Sequence, residues 1–354
     1  MKIHNFSAGP AILPQVVLEE AAKAVENYEN VGLSILEMSH RSKEIVAVMD
    51  EAQSLVKQLL NLGDDYSVLF LTGGASSQFF MVAMNLLNEG EKACYLDTGV
   101  WSTKAIKEVS NFGTVEVLAS SKEDNFNYIP KDWTTPADAK YLHITSNNTI
   151  YGTQYQNFPT TESILVADMS SDIFSREFDA SQFGLIYAGA QKNLGPAGTT
   201  LVIVRNDILG TVNRAIPTML DYRTHIKKAS AFNTPPVYPI YVCLLTLRWL
   251  QGQGGLKAVE AMNKKKAALL YDEIDRNPFF KGTAAVEDRS LMNVTFAADS
   301  PAHEAAFLAY CTANGVSGIK GHRSVGGFRA SIYNAMPMES IEFLVNLMQN
   351  FKPE

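Results

Sequence analysis

Lys192 and Asp168 are the two residues whose types and setting first suggest chemistry. Lys192 follows an apolar, strand-like run over residues 185–188 and a small-residue turn, Gly189-Ala190-Gln191. It opens a loop rich in glycine and proline, Asn193-Leu194-Gly195-Pro196-Ala197-Gly198. An earlier apolar run, residues 164–167, ends in Asp168. Open α/β sheets place their chemistry just beyond the carboxyl ends of their strands. A carboxylate at one strand end and an amine beyond the next suit pyridoxal 5'-phosphate: a lysine takes up its aldehyde as a Schiff base, and an acid pairs with its pyridinium nitrogen. Taken alone, the two residues fit equally well a surface loop lysine and a turn or helix-capping aspartate.

Other segments have chemistry at comparable places. Thr72-Gly73-Gly74-Ala75-Ser76-Ser77 lies between a strand-like run, residues 68–71, and a helix pattern with Phe79, Val82, Ala83 and Leu86 inward. A strand, a glycine turn and a helix start make an anion site, because first-turn N–H groups and the helix dipole face the ligand. Many βα turns use glycine, so this motif is weak by itself. Trp101 follows the run 93–96, where it either stacks on a planar ligand or packs. Thr149 lies in a stretch of hydroxyls and amides after the run 141–144. His40 and Arg41 precede a helix capped by Ser42, and alone they read as surface residues. His322, Arg323 and Arg329 sit in the glycine-rich stretch 318–331. Arginine there suits carboxylate or phosphate, whose geometry its planar fork matches.

The elements that must position these residues follow from periodicity. Runs at 68–71, 93–96, 115–118, 141–144, 164–167, 185–188 and 200–204 predict seven strands. Helical or loop segments between them argue for βα units and a mainly parallel sheet. Ile45, Val48, Met49, Ala52, Leu55, Val56 and Leu59 share one helical stripe and read as core. Residues 5–14 are turn-rich and read as an arm. Asn233-Thr234-Pro235-Pro236 is a rigid stretch before a helix reaching Trp249. After the glycines of 251–255 the pattern becomes a long helix, a strand and two further helices, which reads as a smaller α+β domain. Lys264-Lys265-Lys266 reads as a solvated helix face.

The chain has 354 residues, 46% hydrophobic and 19% charged, enough for about two domains with a large core. A net charge of −7 argues against nucleic acid or an acidic membrane face as a main partner. Cys94, Cys243 and Cys311 are scattered without metal spacing and read as buried free thiols in a reducing compartment. Residues 1–14 lack a basic start followed by an apolar segment, so no signal peptide is expected. No apolar run approaches the length of a membrane span. The expectation is a cytoplasmic protein without a bound metal.

Seven segments together resemble the phosphoserine aminotransferase family, pyridoxal phosphate enzymes of class V and fold type I. They are Asn5-Phe6-Ser7-Ala8-Gly9-Pro10, Met38-Ser39-His40-Arg41-Ser42, Gly73-Gly74-Ala75-Ser76, Ala167-Asp168-Met169-Ser170-Ser171, Tyr187-Ala188-Gly189-Ala190-Gln191-Lys192-Asn193, Asn233-Thr234-Pro235-Pro236, and the stretch 321–334. The resemblance covers nearly the whole chain. It implies an N-terminal arm over residues 1–14, a large cofactor-binding domain over 15–255 and a small domain over 256–354. Lys192 then matches the Schiff-base lysine and proton carrier, Asp168 the pyridinium partner, Trp101 the stacking ring, and Thr149 a hydrogen bond on the phenolate side. Ala75, Ser76 and Gln191 match the phosphate cradle. Asn233 and Thr234 match residues that reach the cofactor phosphate of the neighbouring subunit, so a homodimer with shared active sites is implied. His40, Arg41, His322, Arg323 and Arg329 match the substrate anion sites.

The reaction implied by the resemblance converts 3-phosphohydroxypyruvate and L-glutamate to O-phospho-L-serine and 2-oxoglutarate by a ping-pong route through pyridoxamine phosphate. The longer keto acid of vitamin B6 synthesis stays open as a second substrate. One departure stands out: some family members carry arginine where this chain has Ser76. A cysteine desulfurase of the same fold would need a mobile catalytic cysteine, which the apolar settings of the three cysteines do not suit. A binder that has lost catalysis would not need the lysine–aspartate pair.

Overall fold

The computed structural model describes residues 2–352. Its central sheet has seven strands: β1 (Tyr66–Leu71), β2 (Lys92–Asp97), β3 (Thr114–Ser120), β4 (Ala139–Thr145), β5 (Ile164–Asp168), β6 (Phe183–Gly189) and β7 (Thr200–Arg205). Their spatial order is β1-β7-β6-β5-β4-β2-β3. β7 is antiparallel to both neighbours, and the remaining pairs are parallel. A parallel strand covered on both faces needs apolar residues throughout. β6 is buried along its whole length, whereas the edge strand β3 is half exposed.

Helices α1 (Gln15–Asn27), α2 (Lys43–Leu59), α3 (Gly74–Leu86), α4 (Val100–Val109) and α5 (Val237–Gly252) cover this sheet. Apolar residues of α1, α2 and α5 form one core with one face. Those of α3 and α4 form a second core with the other. The predicted stripe of α2 is buried from Ile45 to Val56. Ser42 caps the helix, its hydroxyl accepting from the backbone N–H of Ile45 at 3.4 Å.

After Gly254 the chain builds α6 (Gly255–Arg276), β8 (Phe280–Gly282), β9 (Asn293–Ala298), α7 (Pro301–Ala313), β10 (Phe328–Ser331) and α8 (Met338–Asn350). β8, β9 and β10 form an antiparallel sheet in that order. It packs with the helices around Phe280, Phe296, Phe307, Phe328 and Leu344. The arm begins as part of this layer: His4–Asn5 pairs in parallel with Val316–Ser317, and Phe6 lies in the same core. The arm then crosses to the large sheet, where Ala11 N–H donates to the Gln191 carbonyl at 2.9 Å.

The expectation for Lys264-Lys265-Lys266 needs correction. Lys264 pairs with Glu260 on the surface, but Lys266 is 0% exposed. Along α6, Val259, Asn263, Lys266, Ala267, Leu270 and Ile274 fall on the inward stripe, so helical geometry drives one lysine of the run inside. Burial pushes its pKa down to about 7. Among the described residues, no helix is long and apolar enough to cross a membrane, and no group of His, Cys, Asp and Glu is placed to hold a metal ion.

Gly152 shows how closely the two layers approach. Its φ is +75°, and a Cβ there would sit 2.2 Å from Thr295 Oγ1 and 3.0 Å from the Asn293 carbonyl on β9. Gly152→Ala is therefore expected to destabilise the fold by about 2–4 kcal/mol through strain and overpacking. Thermal unfolding would show a lower Tm, and a Tm equal to the parent's would refute the close approach.

Candidate active site

The parallel strands end on one edge of the sheet, and the chemistry gathers there. β1 leads into Gly73 and Gly74, which take φ of 96° and 65° and let the chain turn sharply into α3. β2 leads to Trp101 in the first turn of α4, β4 to Thr149, β5 ends at Asp168, and the turn after β6 carries Gln191 and Lys192. The arm closes over that turn: a Cβ on Gly9 would lie 3.3 Å from Lys192 Cγ.

The amine of Lys192 donates to Thr149 Oγ1 at 2.7 Å and lies 5.4 Å from the centre of the Trp101 ring. Arg329, on β10 of the other layer, reaches the same residue and donates from Nη1 to the Thr149 carbonyl at 3.3 Å. Asp168 is buried, and its Oδ1 accepts from the Ser170 N–H at 2.9 Å and the Ser170 hydroxyl at 2.6 Å. Among the described residues, Oδ2 accepts no hydrogen bond. Burial pushes the Asp168 carboxyl up, while Lys192 and the Ser170 bonds pull it back. Burial pushes the Lys192 amine down to about 8; Asp168 opposes this and Arg329 reinforces it. An amine, a carboxylate and a guanidinium thus influence one another in a partly buried setting, with an indole ring 5.4 Å from the amine.

The remaining sequence candidates divide. Ala75 and Ser76 occupy the first turn of α3, whose leading N–H groups have no helical partner. Gln191 Oε1 lies near them, since a Cβ on Gly189 would meet Ala75 N, Gln191 Oε1 and Ser170 Oγ at 3.8 Å each. His322 holds Ser324 Oγ at 2.7 Å from Nδ1, and its pKa is lowered by burial and by the charges of Arg329, Arg323 and Lys104. Arg323 is exposed beside it. His40, Arg41, Asn233 and Thr234 are not joined to Lys192 by any hydrogen bond or ion pair among the described residues. Asn233 and Thr234 are exposed, and Asn233 lines a cavity of about 220 Å³ with Gly73 and Ser77.

Three participants escaped the reading of the sequence. Ser170 bonds Asp168 and also accepts from the Gly189 N–H at 3.0 Å, tying β5 to the lysine turn. Asp172 is a second buried carboxylate, held by Ser146 and by Gln154 Nε2, and its charge raises the Lys192 pKa. Both belong to the run Asp168-Met169-Ser170-Ser171-Asp172, where the dense polar residues directly after a buried strand were the available signal. Lys104 places its amine 4.6 Å from the centre of the Trp101 ring, one turn along α4.

A model of the aminotransferase class-V family matches residues 3–344. The chain is 61% identical to the phosphoserine aminotransferase of Flavobacterium johnsoniae over 350 residues, covering 99% of this chain and 98% of that one. It is 58% identical to the phosphoserine aminotransferase of Parabacteroides distasonis over 356 residues, the whole of both chains. Among solved structures, the phosphoserine aminotransferase of Bacillus circulans subsp. alkalophilus matches with a TM-score of 0.96 at 49% identity, over 98% of each chain. The PLP-bound phosphoserine aminotransferase of Trichomonas vaginalis matches with a TM-score of 0.94 at 38% identity, over 99% of this chain and 100% of that one.

The opposed charges around Lys192 make a signed prediction. Only the neutral amine reacts with an acylating reagent, so in protein freed of small ligands its labelling rate, followed by peptide mass mapping, should be half-maximal near pH 8. Asp168→Asn removes the charge that raises the pKa and should move the midpoint down. Arg329→Leu removes one that lowers it and should move the midpoint up. A midpoint at the ordinary 10.5 in all three proteins would mean that the amine is solvated.

Proposed function

The chain belongs to the class-V aminotransferases, and on that premise we propose that it moves an amino group from L-glutamate to 3-phosphohydroxypyruvate, giving O-phospho-L-serine and 2-oxoglutarate. The observation that carries the proposal is the meeting of Lys192 and Arg329 on Thr149, with the buried Asp168 close enough to shift the lysine's pKa. Full-length relatives named phosphoserine aminotransferase support the choice of substrate.

The residues fit pyridoxal 5'-phosphate. Among the described residues, Asp168 Oδ2 has no donor, and Trp101 Nε1 and Arg329 Nε are buried without a hydrogen-bond partner. Gly73 and Gly74 open the first turn of α3 to an anion. Lys192 would hold the cofactor, Asp168 would pair with its ring nitrogen, and Trp101 would cover its ring. Thr149 would bond its oxygen side, and the Ala75 and Ser76 N–H groups with Gln191 would take its phosphate. When bound, the group supplies an electron sink that lets the substrate's α-C–H bond ionise. The protein's share is to place and move the proton. With a pKa of about 8, Lys192 Nζ accepts a proton from the α-carbon near neutrality and returns it. Thr149 aims the amine.

Both substrates carry a carboxylate beside the reacting carbon, and Arg329 is assigned to it. The distal anion falls to His322 and Arg323, with His40 and Arg41. Ser76 offers no guanidinium, so the arginines carry more of the tail's charge. Because His40, Arg41, Asn233 and Thr234 make no bond to Lys192 among the described residues of their own chain, we assign them to the site of a second copy in a homodimer, with Asn233 and Thr234 on the cofactor phosphate. A cytoplasmic setting suits the three cysteines, which are free and buried.

Losing a group that acts both covalently and in proton transfer should be severe. Lys192→Ala is expected to lower turnover about a thousandfold or more in a coupled transamination assay. Near-normal turnover would sink the assignment. The arginines should separate by donor. A charge-assisted contact contributes about 1.5–3 kcal/mol, roughly ten- to a hundredfold in kcat/KM. Arg329→Leu should slow the glutamate and phosphoserine half-reactions alike, whereas Arg323→Leu should penalise phosphoserine more than alanine. Equal slowing of alanine and phosphoserine by Arg323→Leu would remove it from the phosphate site.

A further inference from the structure

Lys266, the inward residue of the lysine run on α6, has no place in the proposed reaction, yet its surroundings are highly ordered. The amine donates to the backbone carbonyls of Tyr333 at 2.7 Å, Ile332 at 3.0 Å and Met336 at 3.2 Å, with Asn334 at 3.5 Å. No carboxylate pairs with it among the described residues. An ammonium has three donors and no acceptor, and such a ring of carbonyls uses all three. Burying a charge without an acid to neutralise it is costly. A methionine or leucine would fill the volume more cheaply, unless the carbonyl segment itself has to be held.

That segment leads directly to the active site. It continues β10, the strand that carries Arg329. Within it, the Asn334 N–H donates to Asn193 Oδ1 at 3.0 Å, and Asn193 is the neighbour of Lys192. Asn334 Nδ2 donates to the Phe174 carbonyl at 2.8 Å, and Asn193 Nδ2 to the Ile173 carbonyl at 2.6 Å. Asn263, one turn before Lys266 on α6, donates to Asn334 Oδ1 at 2.8 Å and to the Ser175 carbonyl at 2.9 Å. Residues 173–175 follow Asp168 by one turn. All four side chains, Asn193, Asn263, Lys266 and Asn334, are buried.

We propose that Lys266 is a positioning residue of the active site: its amine gathers the carbonyls of residues 332–336 so that Asn334 locks the turns of Lys192 and Asp168 against the strand that carries Arg329. The two layers supply different parts of the site, Lys192 and Asp168 from one and Arg329 from the other. Lys266 sets the register between them without touching substrate. The inference rests on the assignment of Arg329 and Lys192 to one site.

The test uses the cofactor-loaded enzyme and Lys266→Met, which keeps the aliphatic stem and removes the donors. Amide hydrogen exchange of residues 190–195 and 328–336 should speed up by about tenfold or more, because the segment loses its anchor. The KM for glutamate should rise by about tenfold, with kcat within about threefold of the parent, since the guanidinium is displaced and not removed. In the Arg329→Leu background the same change should add less than about twofold, because neighbours acting through one contact are not additive. Additive effects would reduce Lys266 to a general structural role and overturn the proposal, as would unchanged exchange in both segments. If Lys266→Met did not fold, Lys266→Gln, which keeps an amide donor, should shift the same readouts in the same direction by less; no shift would also overturn the proposal. If Arg329→Leu alone left the glutamate KM unchanged, the active-site reading would fall, and exchange would still decide whether Lys266 ties the two segments.

Discussion

Desolvation of one amine beside one carboxylate is the constraint on which the rest of the site depends. Neither Lys192 nor Asp168 is at ease in its pocket: burial drives the amine down and the carboxyl up, and each partly corrects the other. In water the lysine would stay protonated at neutrality and be useless as a base. Fully buried and alone, the aspartate would be neutral and could not hold a proton on a neighbouring ring. The Ser170 bonds favour the charged carboxylate, while Thr149 accepts from the amine and fixes its position. Both partners come from the ends of parallel strands, so their spacing is set by sheet geometry.

The second dependence is on the meeting of two layers. Arg329 comes from the small antiparallel sheet and finds Thr149 of the large one. Three segments converge where that meeting occurs: the arm around Ala8 to Ala11, the turn carrying Lys192, and the chain after β10. Tyr333 donates its hydroxyl to the Ala8 carbonyl at 2.7 Å, and the arm in turn bonds Gln191. Backbone carbonyls and asparagine side chains make these joints directional, where an apolar contact would allow sliding. In the proposed reaction Arg329 would hold a carboxylate while Lys192 reaches the adjacent carbon, and such rigidity would keep the two in register.

Much of this was legible in the residues. Parallel strands announce themselves as uninterrupted apolar runs, so the order of the seven strands along the chain and the loops bearing Gly73, Trp101, Thr149, Asp168 and Lys192 could be read directly. The cap at Ser42 and the stripe of α2 are local patterns of the same kind. What stayed hidden depends on distance in sequence. Lys266 looked like one of three solvated lysines, because a charge run masks the phase of the helix that carries it. The pairing of His4 and Asn5 with residues 316–317 is short and non-local. Asp172 and Ser170 acquire roles only once β5 and β6 lie side by side. Arg41 brings a guanidinium that suits an anion, yet among the described residues neither His40 nor Arg41 bonds the groups around Lys192, so contacts within one chain do not place them.

Lys192 beside the proposed arginine anion site should perform transamination on a phosphorylated keto acid. This chemistry is tested most directly by following the absorbance of bound pyridoxal phosphate through two half-reactions in single turnover. Glutamate should discharge the absorbance, and 3-phosphohydroxypyruvate should restore it ~100-fold faster than pyruvate at equal concentration, the upper end of what a charge-assisted contact provides. Equal rates for the two keto acids, or no response to glutamate, would contradict the assignment.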